Sequence, residues 1–550
     1  MLRRLWFLPF LVTAWAWAGD TAQVRVLFTS DMHARVLPFD QVRQRPARGS
    51  VAQVATVIAK ARAQWPASVV LDGGDDIEGT PLAHYAHFGG GADGVDPTIQ
   101  AMNLIGYDAA VVGNHEFNYG LAVLRGCLKQ SHFPWLAANL QGAKAADLPL
   151  GDTVVLERSG VRIGVLGLTN PNIPHWDPPA HWAGLQFLDP VATAAAQVAE
   201  LRRRADVVVV VVHAGFERDL ETGAPNDSDY ENFAWRLAAL PGIDLLLTGH
   251  THRDIQPRKV GSTVVAQPGR WAEEVTRIDL TLKRQKGHWV VADWQGANLP
   301  TAGETPDERI VRATEPLRAR VEQELSRVIG ELQAPLRVGG LPTADDAGLD
   351  LIHAVQLEAT GAQLSLAAPL GMASLEFPAG KVTPRLAFAL YPYPNTLMVV
   401  ALTGKQLSDV LEHAARGWIG LDCGKPDACT LLRDPELPPY NFDSLQGASY
   451  LVNPLAPVGG RIRGLRMATG EVGPDQIVTL AINSYRGAGG GNYPHLTTAT
   501  RVLEVDRPMT DLLIEYLERH GKVTPKADDN WALTIPVREA PAREPGASPR

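Results

Sequence analysis

Short apolar runs alternate with helix-like segments between residue 24 and about residue 291 of the chain. The apolar runs predict strands at Val24–Thr29, Ser68–Asp72, Ala109–Val112, Val161–Leu168, Val207–Val212, Leu245–Leu247 and Ser262–Ala266. The segments between them predict helices, among them Val51–Gln64, Pro97–Ile105 and Pro190–Arg204. Regular alternation of strands and helices is typical of a layered α/β architecture. Polar residues cluster at the carboxyl ends of the strands, where open α/β sheets usually place their ligand sites.

A polar segment rich in Gly and Pro, Leu299–Thr305, separates this first region from a second one. Asp307–Leu332 is predicted to be mostly helical, and Pro316 should either kink that helix or mark its start. A second mixed α/β pattern runs from about Pro342 to Leu533. We therefore expect a signal peptide (1–18), a first domain (20–298), a linker with a helix (299–341), a second domain (342–535) and a disordered tail (536–550).

The N-terminus has the pattern of a secretory signal. Arg3 and Arg4 precede an apolar stretch, Leu5–Trp17, and an Ala-Trp-Ala sequence predicts cleavage after Ala18. The stretch is short for a membrane span, and no later apolar run approaches spanning length. This pattern predicts a soluble protein that is secreted or periplasmic and has no membrane contact after cleavage, with an uncleaved anchor as the alternative.

The acidic composition argues against nucleic acid polymers as binding partners. Lys plus Arg is 51 and Asp plus Glu is 60, so the formal net charge is −9. Such an acidic body is a poor binder of nucleic acid polymers, although it could hold a small phosphate ester in a metal-lined site. Three cysteines exclude a disulfide-dense scaffold and a Cys-rich zinc fold. In an oxidising compartment Cys423 and Cys429 could close a small loop while Cys127 stays free, but spacing alone fixes no connectivity.

Five short islands of metal-ligand residue types follow the predicted strands. They contain Asp31 and His33, Asp75, Asn114 and His115, His213, and His250 and His252. Each island alone is a weak signal, since an Asp-x-His pair or a Gly-Asp pair is more often a solvated turn or a helix cap. Together, carboxylate, amide and imidazole donors at successive βα turns favour two borderline divalent ions that share a bridging carboxylate. The glycines before Asp75, Asn114 and His250 should let the backbone turn sharply and approach the metals.

Longer motifs accompany these islands: GNHEFNYG at Gly113–Gly120, YPNTL at Tyr393–Leu397, YNFD at Tyr440–Asp443 and NSYRGAGGGNY at Asn483–Tyr493. With them the sequence resembles the calcineurin-like metallophosphoesterases fused to a 5′-nucleotidase-type C-terminal domain, over nearly the whole mature chain. Within that family it is most similar to the bifunctional 2′,3′-cyclic-nucleotide 2′-phosphodiesterase/3′-nucleotidases. The resemblance implies a four-layer αββα sandwich that a helix joins to a smaller mixed α/β domain, in a monomer.

The resemblance also implies roles for the island residues. One metal would be held by Asp31, His33, Asp75 and His252, and the other by Asp75, Asn114, His213 and His250, with Asp75 as the bridge. Asn114 and His115 match the catalytic motif, and His115 would contact the phosphoryl oxygen or the leaving group rather than a metal. Two divalent cations, drawn from Mn, Zn, Co, Fe or Ca, would lower the pKa of the attacking water and neutralise charge on the phosphorus oxygens.

Relatives hold the base of a nucleotide between two aromatic rings of the second domain, so the resemblance makes Tyr493 the first stacking candidate. Tyr440 and Phe442 are the candidates for its partner. These two residues would face the same way on a strand, so their spacing does not choose between them. The alternative is that the rings belong to the domain core. The glycine-rich loop Gly487–Gly491 is not followed by Lys-Ser/Thr, which excludes a Walker-type phosphate loop.

The sequence departs from the 5′-nucleotidase pattern at two places. Asn118 stands where 5′-nucleotidases commonly place an Asp three residues after the catalytic His, and Leu366–Leu370 lacks the Arg of their Asn-Gly-Gly-x-Arg motif. At both places the sequence is similar to the cyclic-phosphodiesterase branch of the family. Because His115 then lacks a carboxylate partner at that position, we expect the pKa of His115 to be less elevated.

The expected function is therefore hydrolysis of 2′,3′-cyclic nucleotides to 3′-nucleotides, and of these to nucleoside and phosphate, for nucleotide scavenging. A 5′-nucleotidase or a thiosulfohydrolase on the same scaffold is the first alternative. A non-catalytic exported protein that binds nucleotides or metals is the second, although pure binding would need neither an open dinuclear site nor His115.

Overall fold

The structure, a computed structural model, describes residues 20–88, 94–225, 231–338, 343–370, 375–422, 430–434, 437 and 439–534. The predicted signal peptide, the predicted tail and the Cys423–Cys429 pair lie outside the described residues. Cys127 is described and is buried as a free thiol. Across the described ranges, we find no helix with the length and apolar character that crossing a membrane requires.

The N-terminal half of the chain forms two large sheets. The seven-stranded sheet has the spatial order His288–Pro300, Glu274–Gln285, Thr21–Thr29, Ser68–Asp72, Ala109–Val111, Trp135–Leu136 and Leu150–Gly151. The six-stranded sheet has the order Asp254–Val260, Thr263–Pro268, Leu245–Thr248, Val207–Val212, Val161–Leu168 and Thr153–Arg158. The central strands of both sheets run parallel, so the loops that follow them emerge at the carboxyl edge of each sheet.

The strand Val207–Val212 explains how these sheets are layered. Val209 and Val211 face the other sheet and join the core between the two sheets, while Val208 and Val210 pack under the outer helices. All six valines are buried, because side chains on a strand alternate between its two faces and both faces are covered here. The predicted four-layer αββα sandwich is thus confirmed.

The α-helices of the described residues are Val51–Gln64, Pro81–His87, Pro97–Ile105, Gly120–Gln130, Pro190–Arg204, Ala234–Ala238, Glu308–Ser326, Ala347–Thr360, Pro384–Leu390, Gly404–Ala414, Ser484–Ala488 and Met509–His520. The three helices predicted from the sequence have the predicted bounds. Each begins after a side chain that accepts a hydrogen bond from the backbone of the first turn, namely Ser50, Asp96 or Asp189. Such caps pair backbone N–H groups that the helix itself leaves without a partner.

The predicted helix at Asp307–Leu332 is shorter than expected. Glu308–Ser326 is helical, with Asp307 as its N-cap and Pro316 in its interior, so Pro316 does not mark the start. Gly330–Leu332 is instead a strand that pairs with Gly380–Val382 and Lys522–Val523. Pairing with strands of the C-terminal half therefore overrides the local helical pattern, a long-range effect that spacing cannot reveal.

The C-terminal half contains smaller sheets. Its five-stranded sheet has the order Ser444–Gln446, Leu364–Ala367, Ile477–Asn483, Leu397–Thr403 and Thr500–Val505. Its four-stranded sheet has the order Gly470–Glu471, Ile462–Met467, Ala448–Val452 and Trp531–Leu533. This half also has two two-stranded sheets, Leu336–Val338 with Leu375–Phe377 and Trp418–Asp422 with Thr430–Arg433. The N-terminal half has two more, Phe39–Asp40 with Arg45–Pro46 and Leu140–Gln141 with Gln186–Phe187. Short 3₁₀ turns occur at His115–Phe117, Ile173–His175, Pro179–Trp182, Ala415–Gly417, Pro439–Asn441 and Gly490–Asn492.

Candidate active site

The candidate metal ligands sit on loops with an uncommon backbone conformation. Five of them have φ in the left-handed region: Asp31 at 54°, His33 at 48°, Asp75 at 63°, His250 at 69° and His252 at 56°. Residues with a Cβ adopt this conformation only at an energetic cost, and such residues cluster at functional sites. The backbone of the loops therefore aims these side chains toward one another.

Glycines make room for the ligands more than they bend the chain. A Cβ on Gly113 would lie 2.3 Å from Oδ1 of Asp75, and a Cβ on Gly249 would lie 2.8 Å from Oδ2 of Asp31. Of the three glycines expected to provide sharp turns, Gly74 has a positive φ, at 90°. The expectation of a sharp turn is thus met before Asp75, whereas Gly113 and Gly249 serve close approach.

A first group of ligand atoms comes from Asp31, His33 and His252. The Nε2 atoms of His33 and His252 lie 3.0 Å apart, and Nε2 of His252 lies 3.4 Å from Oδ1 of Asp31. Asp31 is fully buried, and its carboxylate accepts hydrogen bonds from the backbone N–H of His250 and from the hydroxyl of Ser30. Two imidazole nitrogens and a carboxylate that converge in this way fit the coordination of one cation.

A second group comes from Asp75, Asn114, His213 and His250. Oδ1 of Asn114 lies 3.1 Å from Nε2 of His213 and 2.9 Å from Nδ1 of His250. Nε2 of His213 lies 3.0 Å from Oδ2 of Asp75. The other ring nitrogen of His213 donates to the carbonyl oxygen of Gly73 at 2.7 Å, which leaves Nε2 to bind a metal.

Asp75 links the two groups. Its carboxylate lies within 4.8 Å of ligand atoms of His33 on one side and of His213 and His250 on the other. Burial would raise the pKa of Asp75, but the neighbouring His213 and His115 lower that pKa well below its usual range. The carboxylate is therefore ionised, as a bridging ligand must be.

The donor set fits two divalent cations. Carboxylate, amide and imidazole donors are the ligands that Mn, Zn, Co and Fe accept in proteins. Burial opposes protonation of His213, yet the adjacent Asp75 raises the pKa of His213 to about 9. A cation that binds here must displace a proton from this imidazole, so metal binding should weaken as the pH falls.

His115 is held beside this centre but outside the two ligand groups described above. Its Nδ1 lies 2.6 Å from Oδ1 of Asn118, and Nδ2 of Asn118 donates to Oδ1 of Asp177 at 2.9 Å. Because Asp177 takes the amide N–H of Asn118, the Asn118 carbonyl faces His115, and Nδ1 of His115 must carry the proton. Its Nε2 lies 4.0 Å from Oδ2 of Asp75, on the side of the candidate metal ligands.

The expected weak elevation of the His115 pKa is wrong. Oε2 of Glu78, on the loop after Asp75, lies 3.2 Å from Nδ1 of His115. Burial would lower the pKa of His115, but Asp75 and Glu78 raise it well above its usual value. Asn118 is uncharged, as the sequence indicates. The carboxylate that faces Nδ1 of His115 belongs instead to Glu78, which lies on a different loop. No spacing rule links Glu78 to His115, so the sequence alone does not reveal this contact.

Residues 24–254 match the calcineurin-like phosphoesterase family, and residues 328–498 match the 5′-nucleotidase C-terminal domain. The chain therefore contains a calcineurin-like phosphoesterase domain followed by a 5′-nucleotidase C-terminal domain. The two matched regions are called the phosphoesterase domain and the nucleotidase C-terminal domain.

The similarity to known proteins extends over both domains. The 2′,3′-cyclic-nucleotide 2′-phosphodiesterase/3′-nucleotidase of Haemophilus influenzae is 29% identical over 597 residues, which cover 95% of this chain and 89% of that protein. The trifunctional nucleotide phosphoesterase protein YfkN of Bacillus subtilis is 27% identical over 577 residues, and this chain spans only 39% of its length. The solved structure of a Staphylococcus aureus protein described as a 5′-nucleotidase is also similar, with a TM-score of 0.82 at 28% identity. The match covers 93% of this chain and 100% of that one.

The nucleotidase C-terminal domain lies beside the candidate metal ligands of the phosphoesterase domain. Trp176 stacks on the ligand His250 with ring centroids 5.2 Å apart and an angle of 26°. The turn just before Trp176, Ile173–His175, lies against helix Ser484–Ala488 of the nucleotidase C-terminal domain. Trp176 was not predicted, since a single Trp in a loop carries no pattern.

The three aromatic candidates occupy different places. Tyr493 is 3% exposed, and its hydroxyl donates to the carbonyl oxygen of Asn441 at 2.9 Å while Arg486 lies 4.5 Å from its ring centroid. Phe442 is 2% exposed and packs on Trp418. Both rings therefore lie in the core of the nucleotidase C-terminal domain, which was the alternative interpretation of these aromatics.

Tyr440 differs from Phe442 because the segment is not a strand. Pro439–Asn441 forms a 3₁₀ turn, so residues two apart point in different directions and the expected common face is wrong. Tyr440 is half-buried, and burial together with the nearby Tyr485, Tyr393 and Glu231 raises the pKa of its hydroxyl. Glu231 acts on the hydroxyl of Tyr440 and also lies 3.6 Å from Nε2 of the candidate ligand His250. Tyr440 is therefore on the side of the domain that faces the candidate metal ligands.

Proposed function

We propose that the protein is a dinuclear metal-dependent phosphoesterase. It hydrolyses 2′,3′-cyclic nucleotides to 3′-nucleotides and then releases nucleoside and phosphate from these. The observation that carries the proposal is one cluster in which two ligand groups share Asp75 while Nε2 of His115 lies 4.0 Å from that carboxylate. The Haemophilus influenzae relative named for both reactions supports this choice of substrates.

The chain's own residues would orient the substrate and supply a proton. Divalent cations held by Asp31, His33 and His252 and by Asn114, His213 and His250, with Asp75 between them, would lower the pKa of a water and offset negative charge on phosphorus oxygens. Asn118 keeps the proton of His115 on Nδ1, so Nε2 of the protonated ring can donate to a departing oxygen. Against the effect of burial, Asp75 and Glu78 raise the pKa of His115, which favours the protonated ring that this role requires.

One acid can serve both steps. In the first step water attacks phosphorus, the bond to the ribose 2′ oxygen breaks, and that oxygen takes a proton from His115. In the second step another water attacks the 3′-phosphate, the bond to the 3′ oxygen breaks, and this oxygen also needs a proton. Both leaving groups are ribose alkoxides, which are poor leaving groups unless they are protonated. The position of the ribose relative to His115 would therefore decide which ester is cleaved.

The base would stack in the nucleotidase C-terminal domain. Tyr440 and Tyr485 are half-buried neighbours on the side that faces the metal centre, unlike the core rings of Tyr493 and Phe442. Stacking on tyrosine is worth about 1–3 kcal/mol per base and tolerates any base, because every base has a π face. We infer that Tyr440 and Tyr485 hold the base and that base preference is weak.

The N-terminal pattern extends the proposal to the compartment. An apolar stretch behind Arg3 and Arg4, with a small-residue cleavage site ending at Ala18, supports export of the enzyme. In that compartment the two reactions would recover nucleosides from cyclic nucleotides.

A substrate panel tests the proposed function. Purified protein loaded with Mn²⁺ should hydrolyse 2′,3′-cyclic AMP and 3′-AMP, and the cytidine counterparts at rates within about tenfold, since stacking discriminates little between bases. The measurement is phosphate and nucleoside release, with 5′-AMP and a thiosulfonate-bearing peptide as controls. Cleavage of 5′-AMP alone would assign the protein to 5′-nucleotidases, and cleavage of none with tight nucleotide binding would make it a binding protein.

A further inference from the structure

Glu78 is a buried carboxylate between two histidines of the site. It is 2% exposed, and its Oε2 lies 3.2 Å from Nδ1 of His115 and 3.7 Å from Nδ1 of His33. The two imidazoles meet edge to face, with ring centroids 5.1 Å apart and an angle of 72°. One carboxylate oxygen thus faces the same ring nitrogen of both histidines.

In His33, Glu78 faces the ring nitrogen opposite the one directed into the first ligand group. Nε2 of His33 faces Nε2 of His252 at 3.0 Å, inside the first ligand group, so the opposite nitrogen, Nδ1, carries the proton when Nε2 binds a cation. That Nδ1 is the atom that faces Glu78. A carboxylate behind a metal-binding imidazole fixes the ring orientation and strengthens its metal bond.

The backbone keeps Glu78 in place. Gly79 follows it with φ at 123°, and a Cβ at Gly79 would lie 2.8 Å from Cβ of His33 and 2.9 Å from its carbonyl oxygen. The loop is therefore pressed against His33, and only glycine fits at this position. Asn118, by contrast, contacts His115 at 2.6 Å from the end of the 3₁₀ turn that His115 begins, and it is not on the loop of Glu78.

We propose that Glu78 is a positioning residue shared by the metal centre and His115. Its charged Oε2 lies 3.2 Å from Nδ1 of His115 and 3.7 Å from Nδ1 of His33, so one side chain orients a candidate metal ligand and the histidine that faces the substrate. Asn118 aligns His115 and leaves His33 alone. The proposal rests on the proposed function for its catalytic half, while its metal half concerns the geometry of His33 only.

The test compares three substitutions in the full-length protein. Glu78→Leu removes the acceptor, Glu78→Gln keeps one acceptor oxygen in the same place, and Asn118→Leu is the matched control that loosens His115 alone. Mn²⁺ affinity is measured by calorimetry, and kcat and KM are measured with bis(p-nitrophenyl) phosphate and 3′-AMP. Melting temperatures establish that each variant is folded.

Glu78→Leu should weaken Mn²⁺ binding by about 10–100-fold and lower kcat with little change in KM, the usual effect of removing a residue behind a metal ligand. Glu78→Gln should recover most of both losses. Asn118→Leu should lower kcat on 3′-AMP but keep Mn²⁺ affinity within about threefold of the wild type, since it does not touch His33. This split between metal affinity and turnover would not arise from a general loss of stability.

Three results would overturn the proposal: unchanged Mn²⁺ affinity in Glu78→Leu, equal loss of affinity in Asn118→Leu, or Glu78→Gln as impaired as Glu78→Leu. If Glu78→Leu does not fold, Glu78→Asp takes its place, because it withdraws the carboxylate by one methylene and should bind Mn²⁺ more weakly than Glu78→Gln. A wild type that cleaves no phosphate ester would refute the proposed function, and the Mn²⁺ affinities would still decide the role of Glu78.

Discussion

Replacing Asp75 with alanine should abolish turnover and remove at least one divalent cation per chain. Asp75 is the one carboxylate that lies within 4.8 Å of donors in both ligand groups, as far as the described residues show. Losing it removes a shared ligand and leaves His213 without the negative charge that faces its Nε2 at 3.0 Å. Since removal of a single neutral stabilising donor costs about 10²–10³ in kcat, loss of this charged bridge should exceed that range.

Asp76 provides the matched control for this experiment. It is also fully buried, but it joins none of the ligand groups found among the described residues. Burial and the neighbouring Asp72 raise the pKa of Asp76 well above its usual value, so Asp76→Asn changes neither charge nor size greatly. Metal content by elemental analysis and kcat on 3′-AMP should be near wild type in Asp76→Asn. Full metal content and wild-type rate in Asp75→Ala would contradict the bridging role.

His115→Ala should keep both cations and lower kcat by about 10²–10⁴, the usual worth of a positioned general acid. The expectation follows because Nε2 of His115 lies 4.0 Å from Oδ2 of Asp75 and the two assigned ligand sets do not include this ring. His115 also forms a group with His33 and Asp75 whose ligand atoms lie within 4.8 Å of one another, so the metal content of this variant decides between the two roles. Metal loss in this variant would show that His115 is a ligand instead.

The leaving group separates proton donation from other roles of His115. A ribose oxygen needs a proton as it departs, whereas p-nitrophenolate is stable as an anion. His115→Ala should therefore lose much more activity toward 3′-AMP than toward bis(p-nitrophenyl) phosphate, measured as kcat at saturating substrate. An equal loss for both substrates would contradict a role as general acid.

The periodicity of the sequence predicts the layered fold well. Strands such as Val207–Val212 and helices such as Val51–Gln64 have the predicted bounds, because both faces of a central strand are apolar and each helix starts at a capping side chain. The error at Gly330–Leu332 has a different origin. Its partners lie 50 and about 190 residues away, so only the folded chain decides that this segment is a strand.

The sequence predicts that the candidate metal ligands meet, because they follow parallel strands directly and such strand ends lie at one edge of a sheet. The assignment of Asp31 and His252 to one group and of Asn114 and His213 to the other agrees with the distances. Which metals bind, and the coordination itself, stay predictions that measurement must test.

Residues that act from other loops could not be found in this way. Glu78 and Trp176 follow no strand directly and have no partner at a fixed spacing, although they contact His115 and His250 in the fold. The stacking role of Tyr493 stays a prediction, and the sequence does not reveal how deeply this ring is packed. A glycine-rich motif with an aromatic residue does not reveal that this ring is packed inward, with 3% of its surface exposed.

Anomalous diffraction from crystals of the wild-type protein grown with Mn²⁺ tests the central claim most directly. The account predicts two anomalous peaks about 3.5–4 Å apart, the usual spacing of two-metal sites. One peak should lie against Asp31, His33 and His252, the other against Asn114, His213 and His250, with the carboxylate of Asp75 between them. A single peak, or peaks away from Asp75, would contradict a dinuclear centre built by these side chains.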